Sequence, residues 1–289
     1  MHNPALTDNP PAPDDGRQRT RPFDFQQHIH NQSQPEIADF IRRLRDLTDE
    51  YDAVFTVAEV GGNDSDREMK LFTADNRHFN SAYGFNFLYA DKLTPELVVN
   101  ASESWPDAEG IGWPSWALSN HDAPRWISRW APEGHSDAFV RTVMLLFLCL
   151  RGNAILWQGE ELGLTQVEIP FEQLQDPEAI RNWPLTLSRD GTRTPLPWQA
   201  DAVHAGFTVG QPWLPLGPDH PAFAVDRQEG DPTSLLNWTR AMVALRHGQP
   251  ALMQGSMTIL HADDALLLFE RRHGASRLLF AANLGTAPR

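Results

Sequence analysis

Three short apolar runs in this 289-residue chain each end in polar residues able to do acid–base chemistry. Val54-Phe-Thr-Val-Ala-Glu59 ends in a carboxylic acid. Ser115-Trp-Ala-Leu-Ser-Asn-His121-Asp122 ends in an imidazole beside a carboxylate. Ala154-Ile-Leu-Trp-Gln-Gly-Glu160-Glu161 ends in two acids. Glycoside hydrolysis needs two carboxyl groups about the scissile bond, one to protonate the leaving oxygen and one to attack or to activate water. Glu59 is placed for such work, with Gly61 and Gly62 close behind it, where substrate or backbone can come near. At His121-Asp122 an imidazole N–H and a carboxylate can hold two sugar hydroxyls and steady an oxocarbenium-like charge. Each cluster also has a plainer reading. Glu59 can be a solvated strand end and His121-Asp122 a turn or helix cap. Glu160 and Glu161 can be ion-paired with arginines such as Arg125 or Arg193. No His/Cys cluster has metal-ligand spacing, and no Gly-x-Ser-x-Gly elbow is present, so neither a metal, another cofactor nor a serine hydrolase is expected.

The elements that must position these residues follow from the apolar pattern. Residues 1–32 are rich in Pro, Asp, Asn and Gln and read as an irregular loop. Ser33 and Glu36 fit a capping box before a helix whose stripe is Ile37, Phe40, Ile41, Leu44 and Leu47. Strands are expected at 53–58, 83–89, 115–119 and 154–158, with a short helix from Pro95. A helix over 136–151 is apolar nearly all round and stops at Gly152. The proline-rich stretch 163–230 has no period. Asp231-Pro232 opens a further helix, with Leu235, Trp238, Met242 and Leu245 on one face and Gly248 at its end. Runs at 257–260, 265–271 and 277–283 read as antiparallel strands with Gly274 in a turn.

Strands alternating with helices imply a parallel sheet whose functional residues sit at the strands' C-terminal ends. The expected fold is α/β: the C-terminal half of a (β/α)8 barrel over 1–248, then the start of a β-sandwich domain over 249–289. A half-barrel by itself leaves sheet edges and apolar surface open.

Composition narrows the partners. Hydrophobic residues make up 41% and charged residues 21%, as in a soluble globular protein, and the formal net charge is −14. That charge disfavours phosphate backbones and acidic membranes, so neither nucleic acid nor a membrane is an expected partner. The longest apolar run, Val143 to Leu150, is too short to span a bilayer, and the N-terminus lacks the pattern of a signal peptide. Cytoplasmic residence is the default. The single cysteine, Cys149, excludes a disulfide framework and reads as a buried thiol. Ten tryptophans can serve sugar stacking, although most tryptophans are simply core.

Four ordered motifs then make the reading specific: Val57-Ala-Glu59-Val-Gly-Gly, Ala117-Leu-Ser-Asn-His-Asp-Ala-Pro-Arg125, Leu150-Arg-Gly-Asn-Ala-Ile-Leu-Trp-Gln-Gly-Glu-Glu-Leu-Gly163 and Arg189-Asp-Gly-Thr-Arg-Thr-Pro-Leu-Pro-Trp198. They resemble the α-amylase superfamily, glycoside hydrolase family 13, in its bacterial α-glucosidases and oligo-1,6-glucosidases. The segment from Val167 to Pro177, His204-Ala-Gly-Phe and Pro212-Trp-Leu-Pro are similar to the α-glucosidase branch. The resemblance implies a retaining α-glucosidase acting on small α-glucosides. It makes Glu59 the general acid/base and Asp122 the third carboxylate against the ring hydroxyls. His121 becomes a −1 subsite residue and Arg189 the arginine that reaches the non-reducing glucose. Glu160 and Glu161 match more structural acids. Ala58, Trp157 and Ser188 stand where Gly, Tyr and Gly are common.

The family's nucleophile lies in a Gly-Phe-Arg-x-Asp type motif, which is absent from residues 1–289. The opening residues resemble the segment just downstream of it. The expectation is therefore a segment of such an enzyme that is inactive alone, its nucleophile lying upstream of Met1. A transglucosylase or sucrose-type isomerase uses the same residues. A catalytically dead amylase-like scaffold is a further alternative, against which the presence of Glu59, His121, Asp122 and Arg189 argues.

Overall fold

In the computed structural model, residues 3–16, 18–60, 64–105, 112–131, 137–186, 188–285 and 287 are described. Ser136 and the Gly61-Gly62 pair lie outside them. The fold class is the α/β one expected, with parallel strands and a C-terminal antiparallel sheet. The chain divides into two units. Met1–Gly84, Ser104–Ser115 and Arg181–Thr186 form the first, and Phe85–Glu103, Trp116–Ile180 and Leu187–Arg289 the second.

In the first unit, α1 (Ile37–Thr48) precedes β1 (Val57–Glu59), α2 (Ser65–Thr73) and β2 (Ser81–Gly84). The capping box does not form. Glu36 is the N-cap and offers no side-chain hydrogen bond. Ser33 stands at φ 54 and its hydroxyl donates instead to Glu68 of α2. β1 pairs with β2 in parallel, Val57 opposite Ser81, Ala58 opposite Ala82 and Glu59 opposite Tyr83. β1 is shorter than its apolar run. Ala53 turns the chain at φ 58, and the backbone N–H of Thr56 donates to the Asn80 side chain at 2.9 Å. Residues alternate across the strand, with Ala58 and Val60 buried and Val57 and Glu59 exposed. Ser81 Oγ lies 2.6 Å from Ser115 Oγ at the start of β3 (Pro114–Trp116) and donates to the Trp113 carbonyl. Phe40 and Leu47 on α1 remain exposed, as do Val54, Phe55 and Val57 about β1. This is the uncovered apolar surface anticipated for part of a barrel.

The second unit carries α3 (Pro95–Glu103), Trp116 of β3, α4 (Trp126–Trp130), α5 (Asp137–Cys149) and β4 (Asn153–Ala154). The ladder continues past β4 through Ile155 N, which donates to the Trp116 carbonyl at 2.9 Å. Both strands end sooner than their apolar runs. Beyond those ends Arg129 takes the Leu118 carbonyl and Arg125 the Gln158 carbonyl. α5 buries Val140, Val143, Met144, Leu146, Phe147, Leu148 and Cys149, as its all-round apolar character requires. Two buried arginines occupy its carbonyl end. Arg246 donates to Leu148, Leu150 and Gly152, and Arg271 to Cys149, Leu252, Gly255 and Ser256. A guanidinium suits this position, since helix-end carbonyls lack intrahelical partners and carry partial negative charge. Burial pushes the Cys149 thiol up to about 11, against the pull of Arg271 and Arg246.

The described residues of 163–230 hold short helical turns, with α6 (Pro177–Asn182) and α7 (Val225–Glu229). α8 (Leu235–Gly248) starts later than Asp231-Pro232. Asp231 closes a turn on Thr233, and Ser234 is the N-cap, accepting from Asn237 N. Its buried face is Leu236, Thr239 and Arg246 rather than the row Leu235, Trp238, Met242 and Leu245. Arg246 reaching the end of α5 accompanies that rotation, and Leu245 is left exposed. After α9 (Pro250–Gln254) come β5 (Ser256–Ala262), β6 (Leu266–His273) and β7 (Ser276–Asn283), an antiparallel sheet in that order. Phe269 faces Phe280 in register, their rings stacked at 4.6 Å, and Gly274 makes the turn at φ 55. Among the described residues no helix is long and apolar enough to cross a membrane.

Candidate active site

Glu59 is the last residue of β1, exposed, in the first unit. The other three residues singled out by sequence, His121, Asp122 and Arg189, come together within the second unit. The loop that carries His121 and Asp122 is built by its neighbours. Buried Asn120 turns its Oδ1 back to accept from the N–H groups of Asp122 (2.8 Å) and Ala123 (2.6 Å). This is an Asx turn, which fixes the backbone locally. Ser119 Oγ accepts from Trp126 N at 2.9 Å and so joins the loop to the start of α4.

Asp122 is held by cations on one side. Its Oδ1 lies 2.8 Å from Arg193 Nη2, 3.5 Å from Arg189 Nη1 and 3.7 Å from His121 Nε2. Among the described residues no donor reaches Oδ2. The carboxylate is one-third exposed and keeps an open oxygen. Arg193 also donates through Nε to the His121 carbonyl at 2.7 Å, clamping the loop. The His121 ring stands 6.2 Å from that of Trp157, inclined at 51°. Trp157 Nε1 donates to the Thr192 carbonyl, and Thr192 Oγ1 to that of Asn120. The loop after β3 is thereby tied to the segment that bears both arginines.

Arg189 has a second carboxylate partner. Asp176, almost wholly buried, takes its Nε at 3.0 Å and Nη2 at 2.7 Å, and its backbone N–H at 3.0 Å. The fork of Arg189 pulls the Asp176 carboxyl well below the usual carboxylate range, and Asp176 in turn raises the arginine. Asp190, fully buried, accepts through Oδ2 from the backbone N–H groups of Gln175 and Asp176. Arg193 and Asp176 were missed as members of this cluster. Their partners lie 71 and 13 positions away, and only the fold supplies the pairing.

Of the two arginines that the sequence offers to the acids after β4, one serves them. Arg193 does not pair with the acids after β4. Arg125 alone of the two serves them, attracted to both Glu160 and Glu161 while donating to the carbonyls of Gln158 and Thr192. Burial lowers Arg125 to about 10 and pushes Glu160 up to about 8, the Ser119 hydroxyl, the Trp157 N–H and Arg125 opposing the latter shift. Burial also raises Glu161, which accepts from Gly159 N. A carboxyl raised above its unfolded value contributes stability below the unfolded pKa that is lost as pH rises through the folded one. Glu160→Gln keeps an acceptor for Trp157 N and removes this titration. Its urea midpoint relative to the parent should therefore rise between pH 5 and pH 8. An unchanged difference across that range would count against a protonated Glu160.

Parallel strands interleaved with helices, with His121 and Asp122 after β3 and two acids after β4, define a barrel-type α/β protein. The chain belongs to the α-amylase catalytic-domain family, glycoside hydrolase family 13, which matches residues 5–255. It is 37% identical to a probable α-glucosidase of Rhizobium meliloti over 98% of its own length and 53% of the relative's. It is 28% identical to probable oligo-1,6-glucosidase 2 of Bacillus subtilis over 90% of its length, again 53% of the relative's. A crystal structure of the α-glucosyl transfer enzyme XgtA superposes with a TM-score of 0.89 at 39% identity, covering 98% of this chain and 54% of that one. The chain thus spans about half the length of the relatives it matches.

Proposed function

We propose that this chain is the acid/base-bearing segment of a retaining α-glucosidase that removes terminal α-linked glucose from short oligosaccharides. Residues 1–248 supply the C-terminal part of its catalytic barrel and 249–289 the start of a β domain. The observation that carries the reading is the Asp122 carboxylate. Its cations, Arg193 and Arg189, gather on Oδ1, and among the described residues Oδ2 has no donor. A carboxylate so arranged offers an acceptor to two vicinal hydroxyls. His121, half exposed beside it, donates to the same sugar. Arg189 closes the non-reducing side. Glu59 protonates the leaving oxygen and then draws a proton from the water that releases glucose. The nucleophile comes from chain outside residues 1–289.

An exo-acting site turns over maltose faster than it cuts amylose internally. In a complete enzyme containing this segment, glucose should be the first product from both substrates. Early release of longer maltodextrins from amylose would refute the reading. A second reading, transfer of the glucosyl group to a sugar acceptor instead of water, draws support from the 39% identical α-glucosyl transfer enzyme. The same assay distinguishes it, since transfer yields oligosaccharides longer than the maltose supplied.

A further inference from the structure

Arg189 presents its guanidinium with two edges, and the structure commits one of them. The Nε and Nη2 edge is engaged fork-to-fork by Asp176, at 3.0 and 2.7 Å, and Nη1 is left towards Asp122 at 3.5 Å. Asp176 is itself immobilised. Its side chain is 1% exposed, and it accepts from Arg189 N and from Glu178 N at the start of α6. Behind it Asp190, also buried, holds the backbone N–H groups of Gln175 and Asp176 at 2.6 and 2.9 Å. A planar guanidinium bound bidentately has its plane and its outward edge set by its partner. Without that partner the long side chain regains its rotamer freedom, and Asp122 becomes the nearest carboxylate to capture it.

We infer that Asp176 is a positioning residue: it dictates which edge of Arg189 faces the sugar, and keeps that arginine from collapsing onto Asp122. The inference rests on the substrate-binding role proposed for Arg189, and it makes Asp176 a determinant of affinity for the terminal glucose. The side chain touches no reacting atom. Its loss should therefore act on ground-state and transition-state binding together, raising KM with little change in kcat.

The test uses a complete enzyme carrying this segment, with maltose as substrate and free glucose as competitive inhibitor. Asp176→Asn should raise KM and the glucose inhibition constant roughly tenfold or more, as expected for losing a charged hydrogen-bonded partner. It should leave kcat within about threefold. In an Arg189→Ala background the same change should add less than about twofold, because its effect runs through the arginine. A purely structural role would instead lower the melting temperature equally in both backgrounds and leave KM of the folded fraction unmoved. That result overturns the inference. If Arg189→Ala itself leaves KM unchanged, the substrate-binding role of Arg189 fails instead. Should Asp176→Asn and Arg189→Ala not fold, the parent protein still decides. The Arg189 Nε–H, assigned by its disappearance in Arg189→Lys, should give a slowly exchanging NMR resonance, and a freely exchanging one would refute the fixed fork.

Discussion

Glu59→Gln, made in a complete enzyme containing this segment, should lower kcat on maltose by about 10²–10⁴-fold, the usual contribution of a positioned acid/base. The loss should depend on the leaving group. A sugar alkoxide leaves only when protonated, whereas a dinitrophenolate needs no proton. Formation of the glycosyl-enzyme from dinitrophenyl α-glucoside should therefore be little affected. Its breakdown still needs a base to deprotonate water, and the intermediate should accumulate as a burst of dinitrophenol. Azide attacks without a base. Added azide should restore turnover and give α-glucosyl azide, with net retention. These expectations rest on the acid/base role proposed for Glu59, which stands exposed at the end of β1. Equal loss on both substrates, with no rescue by azide, would assign Glu59 to structure instead.

The parts of this protein that were legible in its sequence are those decided locally. Glu59 closes a strand because Val57, Ala58 and Glu59 alternate across a parallel pair. His121 and Asp122 follow a buried strand because a polar triplet cannot continue it. The helix at 137–149 is buried because nearly every side chain on it is apolar. The antiparallel sheet at the end alternates plainly, with Leu267, Phe269 and Arg271 inward on β6.

What stayed hidden was set by arginines acting over long separations. Arg246 meets the carbonyls at the end of α5, 94 and 98 positions away, on the buried face of α8 that differs from the apolar row. Arg125 and Arg129 take the Gln158 and Leu118 carbonyls beyond the ends of two strands. Arg193 sits on Asp122, 71 positions off, though its local sequence offers no hint of the choice. Ser33 shows the same effect on a small scale, since Glu68 outcompetes the cap. Binary patterning predicts where apolar faces lie but carries no information on which distant carbonyl a guanidinium will find.

Residues 1–289 by themselves should hydrolyse p-nitrophenyl α-glucoside roughly 10⁴–10⁶-fold more slowly than a longer chain bearing a Gly-Phe-Arg-x-Asp segment, the scale on which removal of a nucleophile acts. A retaining mechanism requires a second carboxylate about 5–5.5 Å from the acid/base, free to attack the anomeric carbon. The carboxylates about the candidate site are otherwise engaged. Asp122 is drawn to Arg193 and Arg189 through Oδ1, which suits it to holding hydroxyls and lowers its nucleophilicity. Asp176 is forked onto Arg189, and Asp190 accepts two backbone N–H groups. Glu160 is buried, with its pKa raised to about 8, and Glu161 is bound to Gly159 N. Each of these carboxylates therefore already has partners within the second unit. The exposed Phe55, Val54 and Val57 about β1 make association a competing cause of inactivity. The assay should therefore use protein shown to be monomeric by sedimentation and cooperatively folded by urea denaturation. Comparable turnover by this chain and the longer one would show that residues 1–289 contain their own nucleophile, and Asp122→Asn would then be the first variant to examine.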